Sequence, residues 1–248
     1  MSQPSGSQPF TKVVHREVYD AISPSQPSLS IKGKTLLITG ATQGIGYAIA
    51  TAYAAAGASN VVITARDQSK LINAKTNLEK AYPATKIHTF VAEMDDKTRT
   101  SSLFAEIRAS IAEPGVLVLN AGSGNTPSPA LELSDDSLVK DFDINVKGNL
   151  SYVAEFLKPE TLTKEKTISN VSSIGAQLAL PGLGSYGATK VAMVHLLTHI
   201  QSEHPDKNVR IVNFHPGTIF TSLAKSSGYQ EDSYSWDNGT KIPILHLY

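Results

Sequence analysis

The stretch Thr39-Gly40-Ala41-Thr42-Gln43-Gly44-Ile45-Gly46 lies between a short apolar run, Thr35–Thr39, and a helical pattern that starts at about Ile45. Glycine has no Cβ, so the backbone can turn sharply here and come close to a bound group. The N–H groups at the start of a helix bind phosphate oxygens well. A tight strand-to-helix turn without a ligand would use the same residue types. The position directly after the first strand favours a phosphate-binding turn.

Strand patterns and helical patterns alternate along the rest of the chain. After the glycine turn, Ile45, Ile49, Tyr53 and Ala56 recur at helical spacing, and Gly57 ends the helix. Strands are predicted at 35–39, 60–64, 86–92, 116–119, 167–171 and 209–214, and helices at 45–56, 69–82, around 103–111, 134–156 and 186–204. This alternation is typical of βαβ units with right-handed crossovers. It predicts a single Rossmann-like α/β domain, whose doubly wound parallel sheet has the strand order 3-2-1-4-5-6 and helices on both faces.

Composition limits the classes of function. The chain has 248 residues, of which 41% are hydrophobic and 18% charged, as expected of a globular protein. Acidic and basic residues balance at 22 each, so no nucleic acid or anionic membrane partner is predicted. The absence of cysteine excludes disulfides and thiolate chemistry. We find no apolar run of the ~18 residues that a membrane span needs and no targeting signal, so we expect a cytoplasmic protein.

Tyr186 and Lys190 stand four positions apart on one predicted helix and therefore share a face. Reducing a carbonyl group requires a hydride at carbon and a proton at oxygen, and the proton donor needs a pKa brought toward neutrality. The pKa of tyrosine is ~10, and a nearby positive charge lowers it by stabilising the phenolate. Most such pairs are only part of an amphipathic surface. Ser173 lies 13 positions before Tyr186 at the end of the fifth strand, and this spacing favours a proton-transfer pair.

These motifs together resemble those of the short-chain dehydrogenase/reductase family. The matching features, in chain order, are the TGxxxGIG turn at 39–46, Asn120-Ala121-Gly122 after strand four, Asn145, Ser173, Tyr186-x-x-x-Lys190, and Pro216-Gly217 after strand six. The likeness extends from about Lys34 to Thr221. It implies an NAD(P)H-dependent oxidoreductase, either a ketone or aldehyde reductase or an alcohol dehydrogenase, acting on a small-molecule carbonyl/alcohol substrate. The N-terminal extension with its Pro-rich segment 23–30 is similar to that of fungal reductases.

The resemblance also implies a role for each catalytic residue. Tyr186 would be the general acid in reduction and the general base in oxidation. Lys190 would lower the pKa of Tyr186 and bind the nicotinamide ribose. Ser173 would hold the substrate oxygen, with Ser172 as the competing serine that the spacing disfavours. Asn145 would hold a water molecule that connects Lys190 to solvent.

The end of strand two bears on which dinucleotide binds. An acidic residue at this point binds both ribose hydroxyls of NAD and repels a 2′-phosphate. By resemblance, Ala65 stands where NAD-specific members have Asp, and the neighbouring Arg66 could form a bidentate pair with a 2′-phosphate. This favours NADP(H) over NAD(H). Arg66 could instead stack on the adenine or be solvated, and Asp67 beside it argues mildly against a phosphate.

The other cofactor contacts are carried over by resemblance. Asn120-Ala121-Gly122 would line the cofactor behind the nicotinamide-side ribose, and Pro216-Gly217-Thr218 would border the nicotinamide amide. The adenine contact falls to Glu93 or, in a shifted register, to Asp95. The whole set implied at the cofactor is Gly40, Thr42, Gln43, Gly44, Ile45, Gly46, Arg66, Glu93, Asn120, Ala121, Gly122, Tyr186, Lys190, Pro216, Gly217, Thr218 and Thr221.

The two ends of the chain depart from the family pattern. Residues 1–30 are predicted to be an extension and 31–248 the domain, but only 31 residues follow Gly217, fewer than the resemblance implies. The polar segment 222–240 could form a loop over the substrate. The apolar segment 241–248 is interrupted by Pro243, so a seventh strand is doubtful. A sheet edge left exposed must be covered, either by the partner of a homodimer, which we expect, or by the N-terminal extension.

Three alternatives stay open from sequence alone. His195 and His199 lie four apart on the Tyr186 helix and superficially suggest a metal pair, but packing or a dimer contact is favoured, and no metal site is predicted. The same fold could carry out non-redox chemistry such as cyclisation, epimerisation or dehydration. It could also be a dinucleotide-binding protein without catalysis.

Overall fold

A computed structural model of the chain describes residues 19–124, 127–158, 160, 162, 164–205, 208–233 and 236–237. The six strands are β1 Thr35–Thr39, β2 Asn60–Ala65, β3 Lys86–Val91, β4 Val116–Leu119, β5 Lys166–Val171 and β6 Val209–Phe214. The helices are α1 Gly44–Ala55, α2 Gln68–Ala81, α3 Lys97–Ser110, α4 Asp135–Phe142, α5 Asn149–Phe156, α6 Gly184–Glu203 and α7 Ser222–Ser226.

The strands form one parallel sheet in the order β3-β2-β1-β4-β5-β6, which confirms the predicted topology. From β1 the chain runs outward to β3 on one side, and from β4 it runs outward to β6 on the other. The crevice between the carboxyl ends of β1 and β4 is therefore the point where the strand order reverses. Ligands of open α/β sheets bind at such a point. The glycine turn follows β1 and Asn120 follows β4, so both motifs lie at this crevice.

Two buried layers cover the faces of the sheet. Because side chains alternate along a strand, Leu36 and Ile38 of β1 pack on the layer that includes Tyr53 of α1, while Leu37 packs on the opposite layer with Tyr152 of α5. All five β1 side chains are buried. Burying each large apolar side chain contributes roughly 1.5–3 kcal/mol to folding. This double burial makes the centre of the sheet a rigid base for the residues at its carboxyl edge.

The segment predicted as one helix over 134–156 is interrupted. A π-helical turn, Asp143–Gly148, joins α4 to α5. The close approach of the chain after β3 constrains this turn, because a Cβ at Gly148 would lie 2.9 Å from the carbonyl carbon of Met94. Such turns recur at functional sites, and this one contains Asn145. Helical periodicity in the sequence could not show the extra residue of the turn.

Part of the N-terminal extension packs against the domain. Ile22 and Ile31 are buried, and the Ile31 N–H donates to the Ala56 carbonyl at 3.2 Å near the end of α1. The extension before residue 19 and the predicted seventh strand at 241–248 lie outside the described residues. The predicted polar loop at 222–240 is described in part and begins with α7. Within the described ranges, β6 is an edge strand, and no helix is long and apolar enough to cross a membrane.

Candidate active site

The glycine turn is shaped by close contacts with the loop after β4. Gly40 and Gly44 have φ angles of +65° and +56°, a conformation that favours glycine. A Cβ at Gly46 would lie 2.6 Å from the Gly40 carbonyl oxygen and would also meet the Asn120 side chain. Gln43 is the N-cap of α1, and its side chain makes no capping hydrogen bond. Because the first N–H groups of a helix have no partner within it, the turn fits the pyrophosphate of a dinucleotide.

Asn120 ties the β4 loop to this turn. Its side-chain amide donates to the carbonyl oxygens of Thr39 and Gly40 at 2.9 and 3.0 Å. In return, Thr39 Oγ1 accepts hydrogen bonds from the backbone N–H groups of Asn120 and Ala121, each at 3.0 Å. The loop then leads to Gly122, where a Cβ would lie 3.0 Å from Asn145 Oδ1 and 3.8 Å from the Lys190 ammonium. The β4 loop thus connects the glycine turn to the predicted catalytic residues.

Tyr186, Lys190 and Ser173 come together where β5 meets α6. The Ser173 hydroxyl lies near enough to the Tyr186 phenol to act on its pKa, and it accepts the Gly175 N–H at 3.1 Å. The Lys190 ammonium lies 5.5 Å from the centre of the Tyr186 ring and donates to the Val171 carbonyl at 2.9 Å. Ser172 Oγ is buried, with no hydrogen-bond partner among the described residues. The structure therefore brings Ser173, and not Ser172, to the phenol.

Burial sets the protonation of this pair. Desolvation raises the pKa of Tyr186 above its ordinary value, and the nearby Ser173 hydroxyl acts in the lowering direction. Desolvation lowers the pKa of Lys190 to about 8. Desolvation of the phenol opposes the lowering that the resemblance implies for Lys190, and that role of Lys190 stays a prediction. A lysine with this pKa is still mostly protonated at neutral pH.

Asn145 joins the same set from the π-helical turn. Its side chain is buried: Oδ1 accepts the Ser123 N–H at 2.7 Å, and Nδ2 donates to the Ser123 carbonyl at 2.9 Å and to Thr189 Oγ1 at 3.0 Å. Thr189 Oγ1 donates in turn to the Tyr186 carbonyl at 2.7 Å. Asn145 therefore holds the β4 loop and α6 together. Its predicted role in holding a water molecule stays a prediction.

The segment after β6 lies beside the glycine turn. A Cβ at Gly44 would lie 3.4 Å from Thr221 Cγ2, and Thr221 Oγ1 caps α7 by accepting the Ala224 N–H at 3.2 Å. Gly217 has a φ angle of +96°. The following N–H, of Thr218, donates to the Asp237 carboxylate at 2.8 Å. Pro216, which the sequence also placed at the cofactor, precedes this turn and is partly buried.

Sequence reasoning missed the contacts that α7 makes near the phenol. A Cβ at Gly124 would lie 3.6 Å from the Tyr186 ring, 3.7 Å from Leu223 and 3.8 Å from Ser227. These residues, together with Asp237, carry no motif signal. Each of them merely follows a motif in the sequence, and this does not indicate which side chains will lie near the site in the folded protein.

The residues predicted at the adenosine end lie at the carboxyl edge of β2 and β3. Arg66 is exposed directly after β2. Asp67 caps α2: its Oδ1 accepts the N–H groups of Ser69 and Lys70 at 2.9 and 3.1 Å, and bonds from Ser69 and Lys70 lower its pKa. Glu93 and Asp95 are both exposed after β3, and the structure does not choose between them.

The histidine pair on α6 lies away from these residues. His195 and His199 are exposed, with their Nε2 atoms 3.2 Å apart. Over the part of the chain that the structure describes, no group of three or more His, Cys, Asp or Glu side chains could hold a metal ion.

Comparison with known proteins identifies the family. The model of the short chain dehydrogenase family matches residues 34–232. A short chain dehydrogenase/reductase of Claviceps purpurea is 36% identical over 92% of this chain and 76% of its own length. The protein nsrO of Aspergillus novofumigatus, with the same description, is 34% identical over 92% of this chain and 78% of its own length. The chain belongs to the short-chain dehydrogenase/reductase family and is an oxidoreductase.

Solved structures agree with this assignment. A Beutenbergia cavernae protein crystallised with bound NADP is 26% identical and superposes with a TM-score of 0.73, over 80% of this chain and 77% of that chain.

Replacing Lys190 by methionine removes a buried ammonium group and keeps most of the packing volume. The pKa of about 8 in the folded state lies below the ordinary 10.5, so the unfolded chain binds more protons between these values and stability rises with pH there. The cost of burying the charge is present in full below pH 8. We expect Lys190→Met to raise the free energy of unfolding by about 2–3 kcal/mol at neutral pH, a gain that shrinks as the pH approaches 10.5.

Urea unfolding at several pH values measures this difference. Lys70→Met is the matched control, because the Lys70 side chain is exposed, and it should change stability little at any pH. A Lys190→Met protein no more stable than the native protein at neutral pH would contradict the interpretation.

Proposed function

We propose that this chain is an NADPH-dependent reductase of small carbonyl compounds in which Tyr186 delivers the proton. The observation that carries the proposal is the surroundings of the partly buried Tyr186 phenol, where the Ser173 hydroxyl acts on its pKa and the Lys190 ammonium lies 5.5 Å from the ring centre. A cation beside a tyrosine stabilises its phenolate, and a neighbouring serine hydroxyl acts in the same direction, so both favour transfer of the phenolic proton.

Each of these side chains has a distinct task. Bound NADPH supplies a hydride to the carbonyl carbon of the substrate. Ser173 holds the carbonyl oxygen by a hydrogen bond, and Tyr186 transfers its phenolic proton to that oxygen as negative charge develops there. The Lys190 ammonium stabilises the phenolate that results. In the oxidation direction, the Tyr186 phenolate accepts the proton of the alcohol. Lys190 would then pass a proton to the Tyr186 phenolate, and the water held by Asn145 would replace the proton on Lys190 from solvent.

The cofactor would lie along the carboxyl edge of the sheet. The N–H groups of residues 42–46 would bind the pyrophosphate, since those of Gly40 and Ala41 donate to the Thr64 carbonyl. The loop 120–122 would line the nicotinamide ribose together with Tyr186 and Lys190. The segment 216–218 and Thr221 would border the nicotinamide, and Glu93 or Asp95 would contact the adenine. The uncapped start of α1 and the close packing of Gly46 support this arrangement.

Two neighbouring residues support NADPH over NADH. Arg66 is exposed directly after β2, within the region that faces the adenine ribose in this fold. The Asp67 carboxylate, which argued against a phosphate in the sequence, is engaged with the N-terminus of α2. The Beutenbergia cavernae protein, described as NAD(P) dependent, was crystallised with NADP, so a protein of this fold accepts that cofactor.

We also propose a cytoplasmic homodimer in which residues 31–248 form the domain and residues 1–30 an extension. Val139 on α4 and Val191 on α6 are about half exposed, at 56% and 48%. These two helices pack against each other, and we place the surface that a partner would cover on them. The absence of cysteine is compatible with a reducing compartment.

Replacement of Tyr186 by phenylalanine tests the catalytic assignment. We expect the native protein to oxidise NADPH with some member of a panel of ketones and aldehydes. Loss of the proton donor in Tyr186→Phe should lower kcat by about 10²–10⁴-fold with NADPH still bound. Tyr82→Phe, at the end of α2, is the control and should retain the native rate. NADPH binding without turnover of any carbonyl would reject the reductase proposal, and an active Tyr186→Phe protein would reject the role of Tyr186.

Replacement of Arg66 by alanine tests the choice of cofactor. The bidentate pair with a 2′-phosphate is a charge-assisted interaction, so Arg66→Ala should weaken NADPH binding roughly 10-fold or more and leave NADH binding nearly unchanged. Lys70→Ala, a nearby exposed cation on α2, should affect neither. Fluorescence titration with each cofactor gives the two dissociation constants. Equal losses of affinity for NADPH and NADH would contradict the 2′-phosphate assignment.

A further inference from the structure

A buried carboxylate lies beside the catalytic set, and no motif accounts for it. Asp141, near the end of α4, is only 1% exposed. Its Oδ1 accepts the hydroxyl of Ser123 at 2.8 Å, and its Oδ2 accepts the hydroxyl of Ser185 at 2.7 Å. A buried carboxylate is costly unless hydrogen bonds satisfy it. Here each oxygen bonds a serine from a different element.

Each of these two serines is adjacent in sequence to a residue of the proposed site. Ser185 directly precedes Tyr186 at the start of α6. Ser123 directly follows Gly122, where a Cβ would lie 3.8 Å from the Lys190 ammonium. Asp141 therefore joins the chain that carries the phenol to the loop that would line the nicotinamide ribose. Charge-assisted hydrogen bonds are shorter and roughly twice as strong as neutral ones. The bonds of Asp141 can therefore keep these two segments in a fixed geometry.

Asp141 and Asn145 hold the same residue from adjacent turns. Asn145 bonds the backbone N–H and carbonyl of Ser123, and Asp141 bonds its hydroxyl. Ser123 is thus fixed at three atoms. On the α6 side, Asn145 reaches Thr189 while Asp141 reaches Ser185, so two separate links flank Tyr186.

We propose that Asp141 is a positioning residue for the reaction: its buried carboxylate holds the start of α6, and with it Tyr186, at a fixed distance from the loop after β4 that carries Gly122. This inference rests on the proposed function, since the position of Tyr186 affects the rate only if Tyr186 transfers the proton. A displacement of a reacting group by about 1 Å can lower a rate by about 100-fold.

Substitutions at both ends of the link test the proposal. Asp141→Ala should lower kcat by about 10- to 100-fold while KM and the NADPH dissociation constant stay close to native. Asp141→Asn keeps the shape and can still bond both serines, so it should recover most of the rate. Asp143→Ala is the matched control, because this carboxylate lies two residues further on and pairs with Lys147 at 2.8 Å near the surface. It should behave as the native protein does.

The serine variants keep the test decisive if Asp141→Ala fails to fold. Ser185→Ala and Ser123→Ala each remove one hydroxyl and should each lower kcat without weakening NADPH. Ser185→Ala should add little in an Asp141→Ala background, because both changes break the same link. Native kcat in both serine variants, or equal losses of kcat and NADPH affinity in Asp141→Ala, would overturn the proposal.

Hydrogen exchange separates this inference from the proposed function. In Ser185→Ala, amide exchange should speed up both in segment 184–190 and in segment 120–124, with no such change in Asp143→Ala. If the native chain reduces no carbonyl compound, the proposed function fails and this exchange experiment alone decides whether the link exists. Unchanged exchange in segment 120–124 would then contradict it.

Discussion

Four hydrogen bonds between the end of β1 and the loop after β4 define the crevice on which the site depends. They join Thr39 and Gly40 to Asn120 and Ala121, at distances of 2.9 to 3.0 Å. Because the chain leaves β1 and β4 in opposite directions across the sheet, no other strand covers this point. The glycine turn stays open toward the carboxyl edge, and the β4 loop is directed toward Lys190. The same four hydrogen bonds therefore hold both the glycine turn and the loop that leads to Lys190.

The part of the site around Tyr186 contains two charged side chains in buried positions, where a charge is costly. Lys190 and Asp141 are both buried, at 8% and 1% exposure. The Lys190 ammonium donates to the Val171 carbonyl at the end of β5. The Asp141 carboxylate accepts the hydroxyls of Ser185, which precedes Tyr186, and of Ser123, which follows Gly122 in the loop after β4. Such groups lower stability compared with apolar side chains of the same size. The proposed function gives a reason for both, since it uses a cation near the phenol and a fixed distance between α6 and the loop after β4.

The sequence predicted the features that follow a regular pattern or a known motif. It did not predict individual contacts between residues that are distant in the chain. The apolar runs of β1 and β2 and the glycine turn predicted the sheet, its order and its crevice. Tyr186, Lys190 and Ser173 were found because their spacing is a motif. The π-helical turn at 143–148 was missed, since one extra residue leaves no mark on helical periodicity. Asp141 and Ser185 were missed because a single carboxylate and a single serine are ordinary surface residues until burial is known. The desolvation that raises the pKa of Tyr186 was also not predictable from sequence, because desolvation depends on packing.

The most direct test of hydride transfer follows the hydrogen itself. NADPH carrying deuterium at the transferable C4 position is mixed with the native protein and a carbonyl substrate, and the alcohol product is analysed by mass spectrometry. The account predicts one deuterium per product molecule, bound to the carbon that bore the carbonyl, and no labelled alcohol from Tyr186→Phe beyond its residual rate. A product that forms without deuterium on that carbon would mean that the cofactor is not the hydride donor, and it would contradict the account.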